Sequence, residues 1–130
     1  MKKRIYYYDT DCGNIVYYAN YLKYLEEART EYFDSLNMSV GALAEMNVLF
    51  VVARQEIDYK HPARYGDTVE ARAFVASVSR ASLVFEYDVR NQDGKELIKA
   101  KTVMVCVDRD IKTKQIPVDI KMKLGMKNDK

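Results

Sequence analysis

Hydrophobic residues recur at helical spacing over residues 20–36. The members of this apolar face are Tyr21, Leu22, Leu25, Ala28, Tyr32, Phe33 and Leu36. Residues three and four apart lie on the same side of an α-helix, and asparagine is a residue type that caps helix N-termini well. The pattern therefore predicts one long amphipathic helix that begins at Asn20 and ends near Leu36.

Arg29 falls inside this apolar face, one turn beyond Leu25. A guanidinium among apolar side chains is costly unless a carboxylate or several acceptors meet it. Two interpretations follow. Arg29 is either a structural residue that bridges the helix to a sheet, which we favour, or a residue that orients an active-site carboxylate.

The hydrophobic period changes to two residues after one further helical turn, predicted over residues 41–46. Long strands are predicted over residues 49–59, 68–79, 82–90 and 96–108, and a short one over residues 5–8. Residues 82–90 show the clearest alternation, with Leu83, Phe85, Tyr87 and Val89 on one face. Pro62 and Gly66 mark a loop over residues 59–67, and residues 91–94 predict a hairpin turn.

The order of these elements predicts an α+β protein. Four long strands joined by short turns favour an antiparallel sheet with the long helix against one face. At 130 residues, the chain is expected to form a single domain over residues 1–130, with a lysine-rich, weakly patterned tail from about residue 109. One helix covers little of so large a sheet, so we also expect self-association.

Composition removes several classes of function. The chain has 21 basic and 19 acidic residues, so its net charge gives no reason to expect nucleic acid as a partner. Two distant cysteines, Cys12 and Cys106, and one histidine, His61, do not make a zinc set. No apolar stretch is long enough to span a bilayer, and the charged start of the chain runs into tyrosines rather than into an apolar signal segment. A cytoplasmic protein with reduced thiols and no metal is expected.

Four sequence motifs resemble one known family. Residues 8–21 (YDTDCGNIVYYANY) and 26–31 (EEARTE) resemble the signature of hotdog-fold acyl-CoA thioesterases of the 4-hydroxybenzoyl-CoA thioesterase family, in particular its Tol-Pal-associated branch. Residues 62–67 (PARYGD) and 82–85 (SLVF) are similar to a loop and a strand start of the same family. The resemblance covers nearly all of the chain up to residue 108, and the first motif is long enough to be specific.

This resemblance implies a hotdog fold, in which a strongly curved antiparallel sheet wraps one long helix. It also implies homodimers paired through sheet edges, active sites at the subunit interface, and often a tetramer. The substrate would be an acyl-CoA thioester, with acyl carrier protein as an alternative carrier, and no cofactor would be needed.

Asp11 is the catalytic carboxylate that the resemblance implies, because it occupies the second acidic position of the turn before the helix. Thioester hydrolysis needs a carboxylate that attacks the carbonyl carbon or one that takes a proton from the attacking water. In the family, a main-chain N–H at the helix entry polarises the carbonyl, and by position this is the N–H of Tyr18. The Tol-Pal branch usually has histidine at this position, whereas the 4-hydroxybenzoyl-CoA enzymes have tyrosine, so an acid-base role for a histidine is not carried over.

Substrate-binding residues are expected around this turn. Gly13 would allow a close backbone approach or a positive φ, a task that Asn14 could share. Tyr17, Tyr21 and Tyr24 would line an acyl pocket or simply pack. Cationic candidates for the phosphates of coenzyme A are Arg64, Arg80 and Lys60, each equally explained as an ordinary solvated side chain.

Three further residues of the chain invite a catalytic reading that we do not favour. Asp9 fits a turn cap better than a second acid. A neighbouring carboxylate would raise the pKa of Cys12, which argues against a thiolate nucleophile. His61, beside Pro62, fits an exposed loop residue better than a general base.

Two other functions remain as alternatives to thioester hydrolysis. The chain could be a non-catalytic acyl-CoA-binding protein or an envelope-associated scaffold with the same fold. It could also be a hotdog dehydratase that acts on carrier-protein thioesters. Resemblance to that class would require a histidine plus glutamate pattern, which is not found with His61 as the single histidine.

Overall fold

The computed structural model describes residues 1–11 and 13–128, with the backbone only for residues 126–128. Five antiparallel strands form one sheet in the order β1-β3-β4-β5-β2. Their bounds are Lys2–Arg4 for β1, Leu49–Tyr59 for β2, Thr68–Val78 for β3, Ser82–Arg90 for β4 and Glu96–Val107 for β5. The four long strands predicted from the alternating pattern are therefore confirmed, to within one residue at each end.

Register shifts bend three of the strand pairs. They occur between Val52 and Arg54 in β2, between Val75 and Ser77 in β3, and between Val89 and Arg90 in β4. An extra residue in one strand of an antiparallel pair kinks that strand and increases its twist. The sheet is accordingly curved, and its concave side receives the long helix.

The long helix α1 spans Asn20–Ser35 and packs against β3. The buried face of β4 alternates as predicted through Leu83, Phe85, Tyr87 and Val89, and it meets the buried face of α1. Asn37, with a φ of 58°, takes the left-handed conformation that ends a helix two residues after its last turn. Asn47, with a φ of 62°, does the same for the short helix α2 over Val40–Glu45.

Two expectations for α1 are corrected. Asn20 is the first helical residue rather than the cap, a position that falls on Ala19, and its side chain donates from Nδ2 to the carbonyl of Asp9 at 2.9 Å. Leu22 is 49% exposed, whereas Tyr24 is buried. Leu22 lies on the same helix stripe as Glu26 and Arg29, at positions i, i+4 and i+7, and that stripe faces the edge strand β2, beyond which the sheet does not extend.

The strand predicted over residues 5–8 is wrong. Strand β1 comes earlier, pairing Lys2 to Arg4 with Glu70 to Thr68, and residues Tyr7–Asp9 form a short 3-10 turn. The carboxylate of Asp9 accepts the N–H of Tyr6 at 2.9 Å, which closes the aromatic run into a turn. Local side-chain bonding of this kind competes with strand pairing.

The segment predicted as an unpatterned tail contains a third helix, α3, over Val118–Asn128, which packs against β3. Ile120 and Leu124, four residues apart, are buried together with Ile116 just before the helix. The surrounding lysines are exposed and dilute this apolar spacing in the sequence. Among the described residues, no helix is long and apolar enough to cross a membrane.

Burial of Tyr32 predicts a loss of stability at alkaline pH. Tyr32 is 7% exposed, and burial raises its pKa to about 12. In the unfolded chain a tyrosine loses its proton near pH 10, so ionisation favours the unfolded state between these two values. The free energy of unfolding is expected to be unaffected by this residue below pH 9 and to fall by up to about 2–3 kcal/mol between pH 10 and 12.

Urea unfolding of the wild type and Tyr32→Phe between pH 8 and 12 measures this loss. The variant should show a shallower alkaline decline, and Tyr8→Phe, at a tyrosine that is 78% exposed, should decline as the wild type does. Parallel curves for Tyr32→Phe and the wild type would contradict the assignment.

Candidate functional site

The turn before α1 is fixed by backbone hydrogen bonds on both sides. Within it, the N–H of Asp11 donates to the carbonyl of Ile15 at 2.9 Å, and the N–H of Tyr17 donates to the carbonyl of Asp9 at 2.9 Å. The loop over residues 60–67 clamps the same turn, since the N–H of Val16 donates to the carbonyl of Ala63. A turn held on both sides presents its side chains in a defined direction.

Asn14 supplies a left-handed conformation that this turn requires, with a φ of 59°. Asparagine tolerates this region better than other residues with a side chain. Gly13 contributes differently: its N–H donates to Oδ1 of Asp11 at 2.9 Å, and a Cβ built on it would lie 3.5 Å from that same oxygen. Gly13 is therefore a backbone donor to the candidate carboxylate, and Asn14 has the positive φ.

Asp11 lies at the exposed tip of the turn. Its Oδ1 is held by Gly13, and no other hydrogen bond or ion pair to its carboxylate is formed within the described part of the chain. One oxygen is thus oriented while the other is available to a substrate or to water. In a single chain this carboxylate is open to solvent.

The N–H groups at the entrance of α1 are the candidate donors to a carbonyl oxygen. The N–H groups of Asn20, Tyr21 and Leu22 already donate to the carbonyls three residues before each of them. For Tyr18 and Ala19, the described residues provide no acceptor to the backbone N–H. The first N–H groups of a helix carry partial positive charge from the helix dipole. The N–H of Tyr18 lies next to them, two residues before the first residue of α1, and it remains the candidate donor.

A pocket of about 230 Å³ opens beside this helix entrance. Its lining residues are Ile15, Val16, Tyr18, Tyr21, Tyr59, Lys60, His61 and Pro62. Ile15, one wall of the pocket, is the backbone partner of Asp11, and the hydroxyl of Tyr59 donates to the carbonyl of Tyr18 at 3.4 Å. Sequence reasoning did not single out Ile15 or Tyr59; the aromatic end of a strand just before the loop of residues 60–67 was the available signal for Tyr59.

The three tyrosines expected around an acyl pocket take different positions. Tyr21 lines the pocket and is buried, and its hydroxyl accepts the N–H of Ala63 at 3.3 Å. Burial raises the pKa values of Tyr21 and Tyr59, so both remain neutral phenols at ordinary pH. Tyr17 is 46% exposed and rests on the ring of Tyr18 at 4.9 Å between centroids, whereas Tyr24 lies buried behind Tyr21 and outside the pocket.

Of the cationic candidates, Lys60 and Arg64 are near the turn and Arg80 is not. Lys60 lines the pocket, and Arg64 pairs with Ile15 through a β-bridge and has an exposed side chain. Arg80 follows β3, about 40 Å of strand contour from Thr68 at roughly 3.3 Å per residue. Arg80 therefore lies at the other end of β3 from the loop of residues 60–67 that clamps the turn.

The other residues weighed from the sequence have structural positions. Asp9 is 7% exposed, caps the 3-10 turn and lies 3.3 Å from Nζ of Lys3. His61 is exposed, and its Nδ1 lies 2.9 Å from the carbonyl oxygen of Glu96. Cys12 lies outside the described residues, and Cys106 is a buried free thiol.

Arg29 bridges α1 to the sheet. It is 8% exposed, and its Nη1 donates to the hydroxyl of Tyr87 on β4 at 3.0 Å. Within the described residues it forms no ion pair with a carboxylate. The bridging interpretation is confirmed by this contact, whereas Asp11 is oriented by Gly13 instead.

Histidine, cysteine and carboxylate side chains form no group of three that could hold a metal ion in the described part of the chain. The polar groups of the candidate site are the carboxylate of Asp11, the backbone N–H groups before α1, tyrosine hydroxyls, the imidazole of His61 and the cations Lys60 and Arg64. Such a set suits attack on, or activation of water towards, a polarised carbonyl carbon.

The fold and its site define the class of protein. A curved antiparallel sheet around one long helix is the hotdog fold, and the sequence profile of the Thioesterase superfamily matches residues 13–98. The chain belongs to the Thioesterase superfamily.

Three comparisons illustrate this membership. The chain is 39% identical over 105 residues to the acyl-CoA thioester hydrolase YbgC of Escherichia coli, covering 81% of this chain and 78% of the relative. It is 40% identical over 106 residues to the acyl-CoA thioesterase YbgC of Haemophilus influenzae, covering 81% and 77%. Among solved structures, a Thermus thermophilus thioesterase complexed with coenzyme A and zinc is similar with a TM-score of 0.86, 28% identity, and coverage of 100% of this chain and 94% of that one.

Proposed function

We propose that this thioesterase hydrolyses acyl-CoA thioesters to the free acid and coenzyme A, with Asp11 and the Tyr18 N–H as its catalytic groups. One observation carries the assignment: Asp11, with one oxygen oriented by Gly13, and the N–H of Tyr18 lie on the same clamped turn, and the described residues offer no partner to the other oxygen or to that N–H. Relatives named acyl-CoA thioesterases at 39–40% identity support the choice of thioester.

In the general-base route, Asp11 removes a proton from water as that water attacks the carbonyl carbon. The carbonyl oxygen becomes negative and accepts the N–H of Tyr18, the carbon–sulfur bond then breaks, and the thiolate leaves and takes up a proton. In the nucleophilic route, an oxygen of Asp11 attacks the same carbon, the thiolate leaves, and water then cleaves the resulting anhydride. Both routes consume one water and release one acid and one thiol.

The surroundings of the turn suggest how the substrate lies. The acyl group nearest the thioester would contact the ring faces of Tyr18, Tyr21 and Tyr59, which offer apolar surface together with polar tips. Lys60 lines the pocket and Arg64 is bridged to Ile15 beside it, so these two cations would meet phosphates. Coenzyme A and acyl carrier protein share the phosphopantetheine thiol end, so the same entrance serves either carrier.

A second copy of the chain completes the proposed site. Asp11 is solvent-exposed in one chain, and a carboxylate acts on a thioester best where water is excluded. Strand β2 is an open sheet edge of eleven residues with Val52 and Tyr59 about half exposed. Pairing of two β2 edges gives the homodimer that we propose, with a tetramer as the next level of assembly, and the free buried thiol of Cys106 fits a reducing, cytoplasmic location.

A panel of acyl-CoAs tests the proposed activity. Release of free thiol should be measured for short, long and aromatic acyl groups, with mass analysis of the product. Free acid formed well above the rate without protein supports hydrolysis. Background rates across the whole panel, combined with measurable acyl-CoA binding, would support the non-catalytic alternative, and an enoyl thioester product would support the dehydratase.

Isotope labelling separates the two routes through Asp11. A single turnover in H₂¹⁸O with enzyme in excess places ¹⁸O only in the product acid if Asp11 is a general base. Appearance of ¹⁸O in the peptide that contains Asp11 identifies that carboxylate as the nucleophile, since water then cleaves the anhydride at the enzyme carbonyl.

A further inference from the structure

Two side chains join the hairpin between β4 and β5 to the loop of residues 60–67. Nε2 of Gln92, in the hairpin, donates to Oδ1 of Asp67, in the loop, at 3.0 Å. Oε1 of Gln92 accepts the N–H of Thr68 at 2.9 Å. Oδ2 of Asp67 accepts the N–H of Arg64 at 2.9 Å. Both ends of the amide and both oxygens of the carboxylate are therefore engaged.

This contact requires a donor and an acceptor on the same side chain at position 92. A carboxylate only accepts hydrogen bonds and a backbone N–H only donates them, so Gln92 must donate to Asp67 and accept from Thr68. A carboxamide does both. A second carboxylate at position 92 would instead face Asp67 with a like charge and would remove the donor to its Oδ1.

The hairpin closes without help from the Gln92 side chain. Oδ1 of Asn91 accepts the N–H groups of Asp93 and Lys95, both at 3.0 Å, and the N–H of Gly94 donates to the carbonyl of Asn91 at 3.0 Å. Gln92 also lies 3.5 Å from Oδ2 of Asp93, which is its longest hydrogen bond. Its shorter contacts are all made with the loop of residues 60–67 and with the first residue of β3.

Asp67 closes the same loop that clamps the candidate site. Its own N–H donates to the carbonyl of Arg64 at 3.0 Å, so its backbone and its side chain both bind Arg64. On the other side, Arg64 is bridged to Ile15, and the N–H of Tyr65 donates to the carbonyl of Asn14 at 3.0 Å. A continuous series of hydrogen bonds thus runs from the hairpin, through Asp67, to the turn that carries the candidate carboxylate.

We propose that Asp67 and Gln92 fix the loop of residues 60–67 and through it the turn that carries Asp11, which makes both of them positioning residues of the candidate site. For its effect on turnover, this inference rests on the proposed function. Neither residue is among the described residues that line the pocket. Release of the loop should therefore disturb the placement of Asp11 relative to the Tyr18 N–H more than it disturbs substrate binding, and kcat should fall with little change in KM.

Single exchanges between amide and carboxylate are expected to break the contact. In Asp67→Asn, the new amide oxygen can still accept the N–H of Arg64, but its NH₂ group then faces Nε2 of Gln92, so two donors meet. In Gln92→Glu, two carboxylates meet. With the best acyl-CoA of the panel, kcat should fall about 5- to 20-fold in each variant, and KM should stay within about twofold of the wild type.

The double variant Asp67→Asn/Gln92→Glu restores the pairing with the roles exchanged. The amide at position 67 accepts the N–H of Arg64 and donates to position 92, where the carboxylate accepts both this bond and the N–H of Thr68. Its kcat should return to within about twofold of the wild type. Asp110→Asn is the control for the loss of one acidic charge, because Asp110 is exposed in a different turn, and it should keep the wild-type kcat and KM.

Hydrogen exchange, measured by mass spectrometry, examines the turn without any substrate. The N–H of Val16 donates to the carbonyl of Ala63, and this bond is protected only while the loop stays in place. Peptides that contain Val16 should exchange faster in both single variants and at the wild-type rate in the double variant. Peptides from the buried part of β4 should exchange alike in all of them, which separates a local release from general destabilisation.

Single variants with wild-type kcat and unchanged exchange in the turn would overturn the proposal, as would a double variant no better than the weaker single variant. Absence of hydrolysis in every protein, including the wild type, would overturn the proposed function instead. The exchange pattern alone would then decide whether Asp67 and Gln92 fix the turn.

Discussion

Asp11→Asn is expected to lower kcat/KM for acyl-CoA hydrolysis by about 10²- to 10⁴-fold. The asparagine side chain has nearly the same shape, and its oxygen can still accept the N–H of Gly13, so the turn should keep its conformation. An amide, however, neither takes a proton from water at neutral pH nor attacks a thioester. Steady-state kinetics with the best acyl-CoA of the panel measure the loss.

Asp34→Asn is the matched control, because Asp34 is an exposed aspartate on α1 and forms no ion pair within the described residues. Its kcat/KM should stay within about twofold of the wild type, as surface substitutions usually do. Unfolding curves of both variants should overlay that of the wild type. Retained activity in Asp11→Asn would show that Asp11 is not catalytic. Hydrolysis would then depend on water positioned by the Tyr18 N–H alone.

Phe85→Ala is expected to reduce the free energy of unfolding by about 3–5 kcal/mol. Phe85 on β4 is fully buried where α1 crosses the sheet, with ring centroids of Tyr32 and Phe33 at 5.4 and 5.7 Å. Truncation removes this aromatic contact and leaves a cavity in the core between α1 and the sheet. Urea denaturation of wild type and variant gives the difference.

Phe74→Ala provides the comparison on the neighbouring strand. Phe74 is paired with Glu86 on the solvent side of the sheet and is 42% exposed, so the same chemical change should cost much less. Equal losses for the two variants would mean that α1 does not rest on β4 as described. A change in the denaturant slope would instead point to an altered unfolded or native ensemble.

Strands β3 and β4 were predictable because buried and more exposed positions alternate along them, whereas β2, which has no buried residue, was predicted from its β-rich composition. Strand β4 shows this most clearly, since Leu83, Phe85, Tyr87 and Val89 are all buried. Helix α3 was missed because Ile120 and Leu124, the buried residues in its described part, are separated by lysines and follow a weakly patterned segment. Residues 5–8 misled the strand prediction because aromatic and β-branched composition was weighed without the Asp9 carboxylate that folds them into a turn.

The motif located the turn, but the sequence alone did not show which structural role each of its residues has. Asn14 and Gly13 were interchangeable on paper, and only the backbone separates the positive φ of one from the donor role of the other. Tyr59 is 41 residues from Tyr18, and its contact depends on where β2 ends relative to α1, which is a property of the packed sheet. The distance of Arg80 from the turn likewise follows from the full length of β3.

The two margins of the sheet differ greatly in length. One is β1, with three residues, and the other is β2, with eleven. If two copies pair through their β2 strands, the long edge of each sheet is taken up by that interface. Only the three-residue strand β1 then remains as an exposed sheet edge. Strand addition at β2 therefore ends at the dimer, so the same edge that allows pairing does not lead to open-ended fibre growth.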